Sequence, residues 1–212
     1  MSRVGVVDYD AGNLKSVETA LNFLDADFLI SSDPMVLLDT DKLIFPGVGE
    51  AGAAMESLGR YGLDSALQEY YASGRYILGI CIGAQIILSK SEETEAECLN
   101  LIDGKAKRFP GTMGLKVPHM GWNGVEQIGE NSLFKDIPGG SSFYFVHSYY
   151  PVPSQDDIVI GKTEYGIEFC SALQKDNLLA VQFHPEKSGK WGLQLLHNFL
   201  AEIGPDCIKE KS

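Results

Sequence analysis

The apolar run Tyr76-Ile77-Leu78 passes directly into Gly79-Ile80-Cys81-Ile82-Gly83 and then into a helical stretch from Ala84 to Leu88. A buried strand that turns sharply into a helix forces strained backbone at its apex, and flanking residues without a Cβ let neighbouring chain approach. Such a junction projects Cys81 at the carboxyl edge of a sheet. There the N-terminus of the following helix favours a thiolate, and the Ile82 N–H is aimed at a developing oxyanion.

A thiolate needs a base. Downstream, a second apolar run ends in Gln182-Phe183-His184-Pro185-Glu186. In extended chain His184 and Glu186 point to one side, so the carboxylate can orient the ring, and Pro185 marks the end of a strand. His119, His147 and His197 are alternative bases by residue type, but only His184 has a carboxylate built into its motif. Cys98, Cys170 and Cys207 lack the glycine flanks and read as small core residues.

Strand and helix alternate through the first half of the chain. Val4 to Tyr9, Phe28 to Ser31 and Lys42 to Phe45 read as strands, the last ending at Pro46-Gly47-Val48-Gly49. Asn13 to Leu24 reads as an amphipathic helix, and Ala51 to Ala72 as a long helical region broken near Gly59 to Gly62. This spacing implies an α/β fold, a mostly parallel sheet with helices on both faces and functional loops at the strands' carboxyl ends. From Lys105 to Val181 β-rich runs take over (116–128, 143–150, 158–163, 167–174), expected to continue the sheet as antiparallel strands. Trp191 to Ile203 closes the pattern as a helix, on which His197 is a packing or surface residue.

The 212 residues contain no linker or low-complexity tract and read as one domain, 1–212. Four cysteines without a C-x-x-C pair or metal-ligand spacing argue against a zinc site and a disulfide framework, and suggest a reducing, cytoplasmic setting. The N-terminal apolar run is too short for a signal peptide, and no segment approaches the roughly 20 apolar residues of a membrane span. A formal charge of −12 opposes nucleic-acid binding and leaves an anionic phosphorylated substrate in need of another chain.

The segments Gly79-Ile80-Cys81-Ile82-Gly83-Ala84-Gln85 and His184-Pro185-Glu186 resemble the signatures of class I, triad-type glutamine amidotransferases, a flavodoxin-like three-layer α/β family. Four more, 8–17, Pro46 to Gly49, Pro118-His119-Met120-Gly121-Trp122-Asn123 and Phe143 to Tyr149, are similar to the glutaminase subunits of imidazole glycerol phosphate synthases. The resemblance implies a Cys81–His184–Glu186 triad that hydrolyses glutamine through a thioester without a cofactor. It implies oxyanion donors at Ile82 and the Gly47-Val48 loop, and a glutamine pocket formed by Gln85, Glu93 and the His147-Ser148-Tyr149 backbone. Ammonia would pass to a separate (β/α)8-barrel cyclase subunit bound as a heterodimer near Asn13, Trp122, Tyr144 and Lys187. The bland readings of three of these are a helix N-cap for Asn13, a buried anchor for Trp122 and a solvated charge for Lys187.

The chain departs from the family at Ile82 and Ala84, where Leu and Met are common, and at Asp10, where Gly is common. A paralogous branch supplying ammonia for surface-sugar modification, an anthranilate- or guanine-pathway amidotransferase, and a non-catalytic relative are the alternatives. The last predicts a broken triad, and all three residues are present.

Overall fold

The computed structural model describes residues 3–10, 14–201 and 203; Asn13 and Cys207 lie outside them. In chain order the elements are β1 (Val4–Val7), α1 (Leu14–Phe23), β2 (Phe28–Ser31), α2 (Pro34–Leu38), β3 (Lys42–Gly47), α3 (Ala51–Tyr61), α4 (Leu63–Ala72), β4 (Tyr76–Cys81) and α5 (Ile82–Ile86). There follow β5 (Lys90–Ser91), β6 (Ala96–Glu97), β7 (Gly104–Arg108), β8 (His119–Gly124), β9 (Glu126–Gln127), β10 (Ser142–His147), β11 (Tyr149–Pro153), β12 (Val159–Glu164), β13 (Glu168–Lys175), β14 (Leu178–Val181) and α6 (Gly189–Ala201).

The main sheet runs β2-β1-β3-β4-β14-β13-β12-β9. Its first five strands are parallel, and β13, β12 and β9 extend it antiparallel. Strand periodicity divides the core in two. Ile44, Leu78, Ile80, Leu179 and Val181 face α1 and α6, whereas Leu43, Phe45, Ile77, Leu178 and Ala180 face α3 and α4. The central strands are buried on both faces, as a parallel sheet between helices requires.

Two expectations need correction. The runs near 116–128 and 143–150 do not all continue the main sheet: β8 and β10 pair with each other as a separate antiparallel ribbon, and β11 joins β7, β5 and β6 in a second sheet. Alternating apolar residues fit any sheet with one buried face, so the pattern does not select the partner strand. In addition, α2 interrupts what read as a connection between strands. Asp33 caps it by accepting the Met35 N–H at 2.9 Å, with Pro34 in the first turn.

The break between α3 and α4 falls at Gly62, whose φ of 68° ends one helix and starts the next. At the far end of the molecule the buried Lys42 ammonium donates to the Phe199 and Leu200 carbonyls at 2.9 and 2.6 Å, placing a cation at the carboxyl end of α6.

Candidate active site

Cys81 is the last residue of β4 and the residue before α5, and its φ of 57° and ψ of −106° put it outside the common regions for a residue with a side chain. Such a conformation costs on the order of 1–3 kcal/mol and survives only where its surroundings over-determine it. The constraint is visible at Gly83, where a Cβ would stand 2.2 Å from the Phe45 carbonyl oxygen, so α5 lies directly on β3. Cys81 is 6% exposed.

The Cys81 Sγ lies 3.7 Å from Gln182 Nε2 and 4.0 Å from the Val146 carbonyl oxygen. Gln182 is fully buried beyond the end of β14, and its Oε1 accepts from Gln85 Nε2 at 3.0 Å. Gln85 also donates to the Tyr149 carbonyl at 2.9 Å.

His184 and Glu186 meet through a turn, which corrects the expectation of an extended segment. Residues Pro185–Lys187 form one 3-10 turn with His184 at its N-cap, and the turn brings Glu186 Oε1 to 2.7 Å from His184 Nδ1. The two side chains are 2% and 4% exposed. Burial opposes charge on the His184 ring, but the Cys81 sulfur and the Glu186 carboxylate together outweigh it and raise its pKa to about 9. Its buried Nε2 makes no hydrogen bond of normal geometry, the Cys81 sulfur being the neighbour that acts on the ring, and His184 lines the same cavity as Cys81.

The other histidines are arranged differently. His147 Nδ1 lies 2.8 Å from the Tyr149 carbonyl, which can only accept, so this nitrogen carries the proton. His147 Nε2 then accepts from His119 Nδ1 at 3.0 Å, and His119 Nε2 from Asn123 Nδ2 at 3.3 Å. Burial pushes the pKa of His147 down to about 3 and that of His119 to about 4, so both rings are neutral at pH 7 and their acceptor nitrogens are occupied. His197 is exposed on α6.

A cavity of about 380 Å³ opens over the sulfur. Of the residues singled out in the sequence, Val48, Cys81, Ile82, Gln85, Glu93, His147, Ser148, Tyr149 and His184 line it, while Glu186 stands behind His184. Glu93 accepts the Ala51 N–H at the start of α3 at 2.8 Å, and burial raises its carboxyl above the usual range against the pull of that N–H. Gly47 pairs in register with Cys81 on the neighbouring strand; a Cβ there would sit 1.9 Å from the Tyr9 hydroxyl and 2.0 Å from Ile82 Cγ2. That hydroxyl is buried without a partner.

Gly49, Pro118 and Val146 also line the cavity. Reading by motif passed over Gln182, although a polar residue inside the apolar run from Leu178 to Phe183 was a signal. Asp10, where glycine is common in the family it resembles, has a φ of 62°, a conformation glycine adopts freely and Asp tolerates. Its carboxylate accepts the Tyr61 hydroxyl.

On the ribbon, Tyr144 stands opposite Trp122 with ring centroids 6.1 Å apart, and Trp122 is 59% exposed, so it is not a buried anchor. Lys187 is half-buried at the end of the 3-10 turn. No group of metal-ligating side chains occurs among the described residues, and none of their helices is long and apolar enough to cross a membrane.

The model of the family described as glutamine amidotransferase class-I matches residues 10–203. The chain belongs to this family. The amidotransferase is 46% identical to the imidazole glycerol phosphate synthase subunit HisH of Herpetosiphon aurantiacus over 198 residues, covering 93% of each chain. Identity to the protein of the same name from Moorella thermoacetica is also 46%, over 94% of each chain. Among solved structures, one described as a glutamine amidotransferase superposes with a TM-score of 0.71 at 20% identity, covering 94% of this chain and 97% of that one. At that identity the likeness is one of fold: a mixed α/β domain with a large central sheet.

Proposed function

We propose that this amidotransferase hydrolyses glutamine to glutamate and ammonia, with Cys81 as nucleophile, His184 as acid–base and Glu186 as its orienter, and that the ammonia serves histidine biosynthesis. The observation that carries the reading is the meeting, on the wall of one cavity, of a left-handed Cys81 with a His184 whose Nδ1 is held by a buried carboxylate.

The thiolate attacks the side-chain amide carbon, and the carbonyl electron pair moves onto oxygen, where the Ile82 N–H and an N–H of the Gly47-Val48 loop stabilise it. His184, protonated with a pKa near 9, gives its Nε2 proton to the departing nitrogen. Ammonia leaves, a γ-glutamyl thioester remains on Cys81, and the now neutral His184 takes a proton from water as it attacks the thioester. Glutamate departs and the thiolate–imidazolium pair is restored. The Gln85 N–H groups already have partners, so its Oε1 is the atom offered to substrate donors, beside the Glu93 carboxylate and the 147–149 backbone.

The name "subunit" borne by the relatives supports a partner that consumes the ammonia. In this reading the partner is a (β/α)8-barrel cyclase subunit, bound as a heterodimer against the face carrying Trp122, Tyr144 and Lys187. The charge of −12 accords with an anionic ribonucleotide binding on the partner. The chain works as one domain in the cytoplasm. An electrophilic diazoketone analogue of glutamine tests the chemistry: mass spectrometry should find it on Cys81 in the wild type and absent from Cys81→Ser, and labelling elsewhere would overturn the assignment.

A further inference from the structure

Two amide side chains, Gln85 and Gln182, connect the glutamine pocket to the nucleophile, and the proposed mechanism leaves Gln182 without a role. The Tyr149 carbonyl can only accept, so Gln85 must turn its amide NH2 toward it. The second hydrogen of that NH2 falls on Gln182 Oε1. With its oxygen so engaged, Gln182 has one orientation left, and its own NH2 faces the Cys81 sulfur at 3.7 Å. Gln182 is fully buried at the end of an otherwise apolar strand, and its backbone N–H is satisfied by the Ser171 carbonyl, so strand pairing does not account for an amide side chain there. Burying one unpaired is costly, and an apolar side chain of this size would fill the space.

We propose that Gln182 is a further catalytic residue, whose side-chain N–H donates to the Cys81 sulfur and holds it as the thiolate, with Gln85 fixing the direction of that donation. The inference deepens the proposed reading of the site and rests on Cys81 being its nucleophile. A donor aimed at sulfur stabilises S⁻ far more than S–H, because hydrogen bonds to charged partners are roughly twice as strong as neutral ones. It adds to the stabilisation that the His184 imidazolium gives the sulfur, both before attack and when the thiolate is released from the thioester. Because the chain of groups ends at Gln85, a substrate donor on Gln85 Oε1 polarises both amides toward sulfur, so an occupied pocket strengthens the donation.

The test is the pH profile of Cys81 carboxamidomethylation by iodoacetamide, read by mass spectrometry of the Cys81 peptide in the full chain. Turnover is not involved, so the result is independent of whether glutamine is the substrate. Burial raises the thiol pKa of Cys98 to about 11 and that of Cys170 to about 12, so neither competes at neutral pH. Two variants remove the donor differently: Gln182→Met keeps the volume without the N–H, and Gln182→Asn keeps the amide but withdraws it by one methylene. The ionisable groups around the sulfur, His184 with Glu186 behind it, Tyr9, and Glu93 and His147 on the cavity wall, are unchanged in both.

A charge-assisted bond of ordinary strength predicts a displacement of the profile by roughly one to two pH units to the alkaline side. At neutral pH the loss of thiolate is partly offset by the higher nucleophilicity of a less stabilised one, leaving alkylation roughly three- to tenfold slower. A folded Gln182→Met chain whose profile superposes on the wild type overturns the proposal. If Gln182→Met does not fold, Gln182→Asn decides alone by the same criterion. A common alkaline displacement in both supports it.

Discussion

His184 Nδ1 lies 2.7 Å from Glu186 Oε1 although the two residues are separated only by a proline that starts a 3-10 turn. The pair is local in sequence and fully desolvated in space. This combination makes the imidazole basic, and its effects are measurable in both catalysis and stability.

Glu186→Gln keeps the shape of the pair but leaves no charge to hold the ring's proton. The kcat for glutamate release should fall by roughly 10²- to 10⁴-fold with little change in KM, the behaviour of a triad deprived of its orienting carboxylate. A variant that keeps more than a tenth of wild-type kcat would remove Glu186 from the mechanism.

The same pair sets an alkaline limb on stability. The folded-state pKa of His184, about 9, lies above the ordinary 6.5 of an imidazole, so between these values the folded chain binds more protons than the unfolded one. The pair's contribution is present in full below pH 6.5 and is lost as pH rises through 9. Urea midpoints from pH 6 to 9.5 should decline more steeply for the wild type than for Glu186→Gln.

His119 and His147 act in the opposite direction. Their folded pKa values, about 4 and 3, lie below 6.5, so the unfolded chain takes up protons first as pH falls. Stability is lost from pH 6.5 downward through those values. Each histidine should cost about 1.5 kcal/mol between pH 6.5 and 5. Replacing His147 with Phe should flatten this acid limb in urea titrations, and a limb of unchanged slope would remove His147 from it.

Tyr9 presents a buried hydroxyl without a partner, and burial together with the nearby Cys81 sulfur raises its pKa. Removing an unsatisfied group of this kind recovers its desolvation penalty, so Tyr9→Phe should raise stability by about 1–2 kcal/mol at pH 7. Gly47→Ala should do the reverse, since its methyl would meet the same hydroxyl and Ile82. A lower urea midpoint for Tyr9→Phe would mean that the hydroxyl has a partner in solution.

Activity should also be coupled to the partner. Glutamate release by the chain alone should be negligible and should rise by roughly 100- to 1,000-fold when the cyclase and its ribonucleotide ligand are added, the effect of one oxyanion donor in the Pro46 to Gly49 loop coming into position. Equal rates with and without the partner would make this a self-sufficient glutaminase.

Local chemistry made much of the framework readable. The elbow announces itself because strand, glycines and helix are adjacent, and the α3–α4 break because Gly62 occupies a left-handed position. The second helix escaped notice because Met35 is 74% and Val36 39% exposed, leaving an Asp-Pro cap without an apolar stripe behind it. Separation of the β8–β10 ribbon from the main sheet depends on which strand pairs with which, a long-range choice that alternation does not encode. Motif spacing singled out Cys81 and His184, and the family resemblance Gln85 and Glu93; all four line one cavity. Gln182 was passed over because its significance depends on a sulfur far away in sequence.

The sheet order has a consequence for biosynthesis of the chain itself. The fourteenth strand lies beside β4, so the middle of the sheet is filled by a segment synthesised well after β4, and the turn bearing His184 and Glu186 follows it. A nascent chain stopped before residue 178 exposes the edge of β4 and carries a cysteine without its base. In the proposed reading the nucleophile is therefore made early and armed late, and a chain stopped there lacks the means to hydrolyse glutamine.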